Sequence, residues 1–198
     1  MSHPDIFYAL KQIKKEDVKE ALPITAMREI KLLKQLNHPN IVNLVEIVAT
    51  QSSHDSDSSS SKSLLYLVFE YAEHDLQGIL EKGVEFTKSQ FKCLISQLCE
   101  GVAYLHKQGI MHRDIKGGNI LVTKEGVLKL ADFGLAREFR KEHHHYFTVM
   151  VVTRWYRAPE LLLGNPKYTE VIDVWSVGCL IVEMLIGQPL FPGRSDLE

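Results

Sequence analysis

His112-Arg113-Asp114-Ile115-Lys116-Gly117-Gly118-Asn119, followed by Asp132-Phe133-Gly134, is the stretch on which the reading of this chain turns. One short loop carries an acid, a lysine and an amide, and a second acid follows. Between them, Asn119 to Val122 and Val127 to Leu130 predict two short strands around the turn Lys124-Glu125-Gly126. Upstream, Thr87-Lys88-Ser89-Gln90 is a capping-box pattern ahead of Phe91, Leu94, Ile95, Leu98, Val102 and Leu105, which recur on one helical face until Gly109 supplies the stop. Downstream, an irregular stretch from Asp132 to about Glu160 leads to a nearly all-apolar helix from Val174 to Ile186, capped by Gly187; a helix this apolar belongs at the centre of a core.

Nearer the start, Ile6 to Ile13 reads as a half-buried strand. From Pro23, apolar residues at Ile24, Met27, Ile30, Leu33 and Leu36 predict a helix with proline in its first turn. Ile41 to Thr50 and Leu64 to Tyr71 are strand-like, and the serine-rich segment 51–63 between them reads as a disordered insert, too polar to order itself. The 198 residues are 45% hydrophobic and 24% charged, which excludes disordered, collagenous and coiled-coil classes. A net charge of -2 gives no bulk attraction to nucleic acid or an anionic membrane, so neither is expected as a direct partner. Three cysteines without a CxxC argue for a reducing compartment, and the start of the chain lacks a signal-peptide pattern. The apolar helix carries Glu183 and is too short to span a bilayer.

The spacing of the polar groups suits phosphoryl transfer, which needs charge held in place more than covalent chemistry. Asp114 is placed to accept or orient the proton of an attacking hydroxyl, and Lys116 to neutralise the transferring group. Asn119 and Asp132 offer hard oxygens, a match for Mg2+ bridging nucleotide phosphates.

With Lys11 in Tyr-Ala-Leu-Lys, Asp132-Phe133-Gly134, Val151-Val-Thr-Arg-Trp-Tyr-Arg-Ala-Pro-Glu160 and Asp173-Val-Trp-Ser-Val-Gly178, the sequence resembles the catalytic subunit of a cyclin-dependent serine/threonine protein kinase. The resemblance runs from about Phe7 to Asp196 and implies an α+β, two-lobed fold: residues 1–72 a partial small lobe, residues 73–198 a mainly helical large lobe. It implies ATP and Mg2+ as cofactors. Lys11 would hold the phosphates, with Glu29 as its ion-pair partner. Phe69, Glu70, Tyr71 and Ala72 would form the gatekeeper and hinge, Asp75 would reach the ribose, and Ala9 and Leu121 would sandwich the base. Pro23-Ile-Thr-Ala-Met-Arg-Glu29 stands where the family contacts its cyclin. Thr148 takes the place of the activating phosphorylation site, clamped by Arg28, Arg113 and Arg137; Thr153 bridges to Asp114 and Lys116, and Arg157 shapes a pocket for proline after the phosphorylated residue. Asp173 matches the buried acid that anchors the catalytic-loop backbone.

The resemblance is closest to the transcription-elongation branch, which acts on the RNA polymerase II tail, and implies a nuclear location. Arg154 departs from that branch, which usually has leucine there, and instead resembles the cyclin-dependent-kinase-activating branch. Two further departures bear on activity. No glycine precedes Gly78, so the GxGxxG phosphate loop is absent, and the sequence ends soon after Pro189-Leu-Phe-Pro-Gly-Arg-Ser195, before the family's last helices. Their absence removes the arginine that pairs with Glu160 and exposes a face of the Val174 helix. The rival reading is therefore a shortened, non-catalytic module that binds a cyclin or a kinase complex; a small-molecule phosphotransferase is disfavoured by the platform-like Thr148 to Glu160 segment. His143-His144-His145 reads as a solvated run rather than a metal site, and Cys93 and Cys99 as core filler.

Overall fold

In the computed structural model, which describes residues 6–13, 23–51, 63–139 and 146–195, β1 (Tyr8–Ile13), β2 (Leu44–Gln51) and β3 (Ser63–Glu70) form an antiparallel sheet in the order β1-β3-β2. The central strand carries the buried run Leu67-Val68-Phe69. The expected insert and the histidine run fall outside the described residues, save for the strand ends Gln51 and Ser63.

Helix α1 (Ile24–Leu33) begins after Pro23, which is its N-cap rather than its first turn. It buries Ala26, Glu29, Leu32 and Leu33, whereas Ile24 and Met27 are 66% and 54% exposed. The apolar periodicity thus gave the helix correctly; of its stripe, Leu33 and Leu36 are buried and Ile30 packs on the core, whereas Ile24 and Met27 are not inside. The ion pair of Glu29 with Lys11 on β1 turns Ala26, Glu29 and Leu33 inward, at spacings of one helical face, and leaves Ile24 and Met27 on the outside.

The remainder is mainly helical: α2 (Leu76–Glu81), α3 (Lys88–Lys107), α4 (Pro159–Leu162) and α5 (Val171–Ile186). The short strands β4 (His74–Asp75), β5 (Ile110–Met111), β6 (Ile120–Val122), β7 (Leu128–Leu130) and β8 (Arg137–Glu138) make two small sheets, β4-β6-β7 and β5-β8. The reciprocal cap of α3 is present: Gln90 N donates to Thr87 Oγ1 at 3.3 Å and Thr87 N to Gln90 Oε1 at 3.0 Å. Its inner face is Leu94, Leu98, Val102 and Leu105, so Cys93 and Cys99 lie off that face and are exposed, contrary to their reading as core filler; only Cys179 is buried. Gly101 lets the chain at Asn40 approach closely, since a Cβ there would lie 3.0 Å from Asn40 O. Asn40 Nδ2 in turn donates to Leu128 O and Gln97 Oε1, tying the loop after α1 to α3 and β7.

Helix α5 starts three residues earlier than its apolar run suggests and ends at Gly187, whose φ of 75° a side chain would resist. It buries Ile172, Val177, Leu180 and Met184 but presents Val171, Val174, Leu185 and Ile186 to solvent. No helix among the described residues is long and apolar enough to cross a membrane.

Candidate active site

Lys11 Nζ lies 2.7 Å from Glu29 Oε1 and 2.9 Å from Asp132 Oδ1, so one ammonium joins β1, α1 and the segment after β7. Burial acts to lower the Lys11 pKa, but hydrogen bonds and charge from Glu29 and Asp132 outweigh it and hold it above the ordinary value. At Asp132 burial pushes upward and Lys11 pushes down harder, keeping the carboxyl ionised below the usual range. These groups open onto a cleft of about 370 Å³ that is also lined by Ala9, Phe69, Glu70, Ala72 and Leu121. Tyr71 of the expected hinge lines it too, as do Leu10, Val42 and Ala131, which were missed, since apolar residues in or beside strands carry no distinguishing signal. Glu70 is braced from outside the cleft: its carboxylate accepts from Asn43 N at 2.7 Å and pairs with Lys129 at 2.9 Å. Asp75 departs from expectation. It does not line the cleft; its carboxylate accepts from Gly78 N at 2.8 Å as the N-cap of α2, meeting the demand of the unpaired amides in the first turn.

The loop from His112 is held from beneath by Asp173, which is 1% exposed. Its Oδ1 accepts from Arg113 N at 2.9 Å, and its Oδ2 from His112 N at 2.8 Å with His106 Nε2 at 2.9 Å. Arg113 takes a φ of 68°, a strained conformation for a side-chain-bearing residue that these bonds stabilise. His112 is wholly buried, edge-on to Phe133; its Nε2 donates to Ala131 O and its Nδ1 accepts from Asp114 N, an arrangement only the neutral ring satisfies. Burial pushes its pKa down against the pull of Asp173. With the folded pKa depressed, the unfolded chain binds the proton first. This contribution to stability is therefore full above the unfolded pKa of about 6.5 and declines below it, by at most about 1.4 kcal/mol per pH unit. Urea unfolding between pH 7.5 and 5.5 is expected to show this slope flattened in His112→Phe; equal slopes would show that His112 takes up its proton as readily in the folded protein as in the unfolded chain.

Asp114 is the hub of the loop. Its Oδ1 accepts from Thr153 Oγ1 at 2.9 Å and Thr153 N at 3.2 Å; its Oδ2 lies 2.9 Å from both Lys116 Nζ and Asn119 Nδ2. Lys116 Nζ also donates to Thr153 Oγ1 at 3.2 Å. Burial raises the Asp114 pKa, and Lys116, Thr153 and Asn119 together bring it below its ordinary value. Asn119 spends its amide nitrogen on Asp114 and leaves its side-chain oxygen for another ligand, while Ala131 N donates to Asn119 O and so sets Asp132 beside it. Among the described residues no three His, Cys, Asp or Glu side chains gather as a metal cage. One amide oxygen and one carboxylate, half exposed at 49%, instead fit a magnesium ion that keeps water and phosphate oxygens as its other ligands.

Thr148 is exposed on the segment leading to Val151, and its carbonyl accepts from Tyr168 Oη at 2.7 Å. Burial, then the charges of Arg113 and Arg28, hold the Arg137 guanidinium below its ordinary pKa, so the three arginines are electrostatic neighbours. Val152 takes a φ of 63°, rare for a β-branched residue, and Arg157 donates to the carbonyls of Val151 and Val152.

The sequence matches the protein kinase domain family over residues 2–198. The chain belongs to that family. This kinase chain is 47% identical to cyclin-dependent kinase C-1 of Oryza sativa subsp. japonica over 197 residues, covering 96% of itself and 38% of that protein. It is 51% identical to cyclin-dependent kinase 12 of Caenorhabditis elegans over 190 residues, 95% of itself and 26% of the relative. It therefore spans well under half the length of these curated relatives. Among solved structures, the yeast RNA Pol II CTD kinase CTDK-1 complex contains a chain that superposes with a TM-score of 0.84 at 42% identity, over 96% of this kinase chain and 58% of that one. The kinase fold expected from the motifs is thus present.

Proposed function

We propose that this chain transfers the γ-phosphoryl group of ATP to serine or threonine followed by proline, in the manner of a cyclin-dependent kinase. Residues 1–72 and 73–198 act as the two lobes flanking its cleft. The observation that carries this reading is the ion pair Lys11–Glu29 meeting Asp132 in the same cleft, with the Asp114–Lys116–Thr153 cluster on the loop below. Magnesium ATP, when bound, supplies the phosphoryl group and neutralises part of its charge. Asn119 and Asp132 would hold the metal, Lys11 the phosphates, and Phe69, Glu70, Ala72, Ala9 and Leu121 the base. Asp114 takes the proton from the substrate hydroxyl, and Lys116 sits where charge gathers on the group in flight. Proline preference is supported at Val152: its left-handed backbone has its carbonyl bound by Arg157, which suits a following residue that brings no N–H of its own.

A cyclin is the proposed partner, on the exposed Ile24 and Met27 of α1. The RNA polymerase II tail is the proposed substrate class, supported by the name of the yeast RNA Pol II CTD kinase complex, and the nucleus is the proposed location that such a substrate implies. Phosphorylation of Thr148 is the proposed activating step, received by Arg28, Arg113 and Arg137. The test is transfer to a Ser-Pro peptide by the 198-residue chain purified with a cyclin, beside Asp132→Asn. Transfer above that control is expected; none, from a folded protein, would overturn the enzyme reading and leave a binding module.

A further inference from the structure

Tyr168 belongs to none of the motifs that carry the chemistry, yet its hydroxyl touches two of the groups on which phosphorylation would act. It accepts from Arg113 Nη1 at 2.7 Å and donates to Thr148 O at 2.7 Å. The residue is 5% exposed, with its ring tilted against Phe147 at 5.3 Å, and Phe147 N donates to Pro166 O, so the segment before Thr148 and the loop before α5 are packed as one piece. Burial raises the phenol pKa against the pull of Arg113, so the hydroxyl stays a donor at neutral pH.

The physical problem at this place is like charge. Arg113 and Arg28 both act on Arg137, and among the described residues no carboxylate lies within ion-pair distance of any of the three. Something neutral has to hold Arg113 against this repulsion, and its guanidinium is stretched between two neutral oxygens, Leu135 O at 2.8 Å from Nε and the Tyr168 hydroxyl. We propose that Tyr168 is a positioning residue, a neutral strut that fixes the Arg113 guanidinium and the Thr148 backbone in the geometry that receives a phosphate before one is attached. The proposal rests on the reading of Thr148 as the phosphorylated residue. It deepens that reading by making the closed arrangement of the segment partly populated in the unphosphorylated chain.

A population argument sets the expected result. Where the closed arrangement is only partly populated, losing the strut opens it; where a phosphate already clamps it, the same loss hardly changes the fraction closed but makes opening more frequent. In Tyr168→Phe, which keeps the ring, transfer by the unphosphorylated chain with its cyclin should fall about tenfold, the size of one hydrogen bond to a charged group. Transfer by the chain phosphorylated on Thr148 by a separate activating kinase should fall less than twofold. Removal of that phosphate by a protein phosphatase should become about tenfold faster. Equal loss of transfer in both forms, an unchanged phosphatase rate, or release as fast as from a free phosphopeptide would each overturn the strut. If the unsubstituted chain transfers nothing, the phosphatase arm still decides on Tyr168, and the kinase reading fails by itself.

Discussion

Exchange of Asp114 for asparagine is expected to lower kcat for peptide phosphorylation by about 10²- to 10⁴-fold, the range contributed by a positioned general base. The geometry makes the change specific. Both carboxylate oxygens of Asp114 accept: one takes Thr153 Oγ1 and N, the other faces Lys116 Nζ and Asn119 Nδ2. An asparagine has one acceptor oxygen, so in either orientation its NH2 is turned on a group that also donates, and it cannot take up a proton at neutral pH. The depressed pKa of Asp114 keeps the carboxylate free to act as a base across the physiological range. Steady-state kinetics at saturating peptide, with circular dichroism to establish the fold, reads the effect. A fall of less than tenfold would remove Asp114 from the proton-accepting role.

The largest effect on stability is expected at Asp173. Its replacement by alanine leaves the amides of His112 and Arg113 and the ring of His106 without their acceptor, in a place that is almost fully buried. Removing one partner from a buried charged network costs about 3 to 5 kcal/mol, against a total of about 5 to 15 for a typical domain. The loss should be visible as a lower urea midpoint at unchanged m-value, and Asp173→Asn, which retains one acceptor oxygen for a backbone amide, should fall between. Activity should drop more than stability alone explains, because Arg113 is held in its φ of 68° by this carboxylate and Asp114 is the next residue. An alanine variant as stable as the parent would show that water replaces the acid without cost.

Local patterns were legible wherever one chemical rule had one solution. The Thr87–Gln90 cap, the inner face of α3, the hairpin after Asn119 and the stop at Gly187 follow from periodicity, capping and turn chemistry, and all stand in the structure. Residues with two solutions were misplaced. Ile24 and Met27 fit a core face and an exposed one equally well, and apolar spacing cannot tell a buried stripe from one awaiting a partner. Asp75 serves equally as a ligand group or as a helix cap, and the structure shows the cap, made by one of its two carboxylate oxygens. Cys93 and Cys99 lie off the face set by Leu94 and Leu98, which composition does not reveal.

The sequence by itself determined the elements and the order of the chemically active groups, because helix caps, strand alternation and short loops act over a few neighbouring residues. It carried the family resemblance for the same reason: the residues of each motif are adjacent in the chain. What only the tertiary structure decided were the meetings across long separations: Lys11 with Asp132, His106 with Asp173, and Tyr168 with both Arg113 and Thr148. A hydrogen bond is made only when donor and acceptor stand within about 3 Å in the right direction. That condition is set by how sheet, helices and loops pack together, and no local pattern contains it.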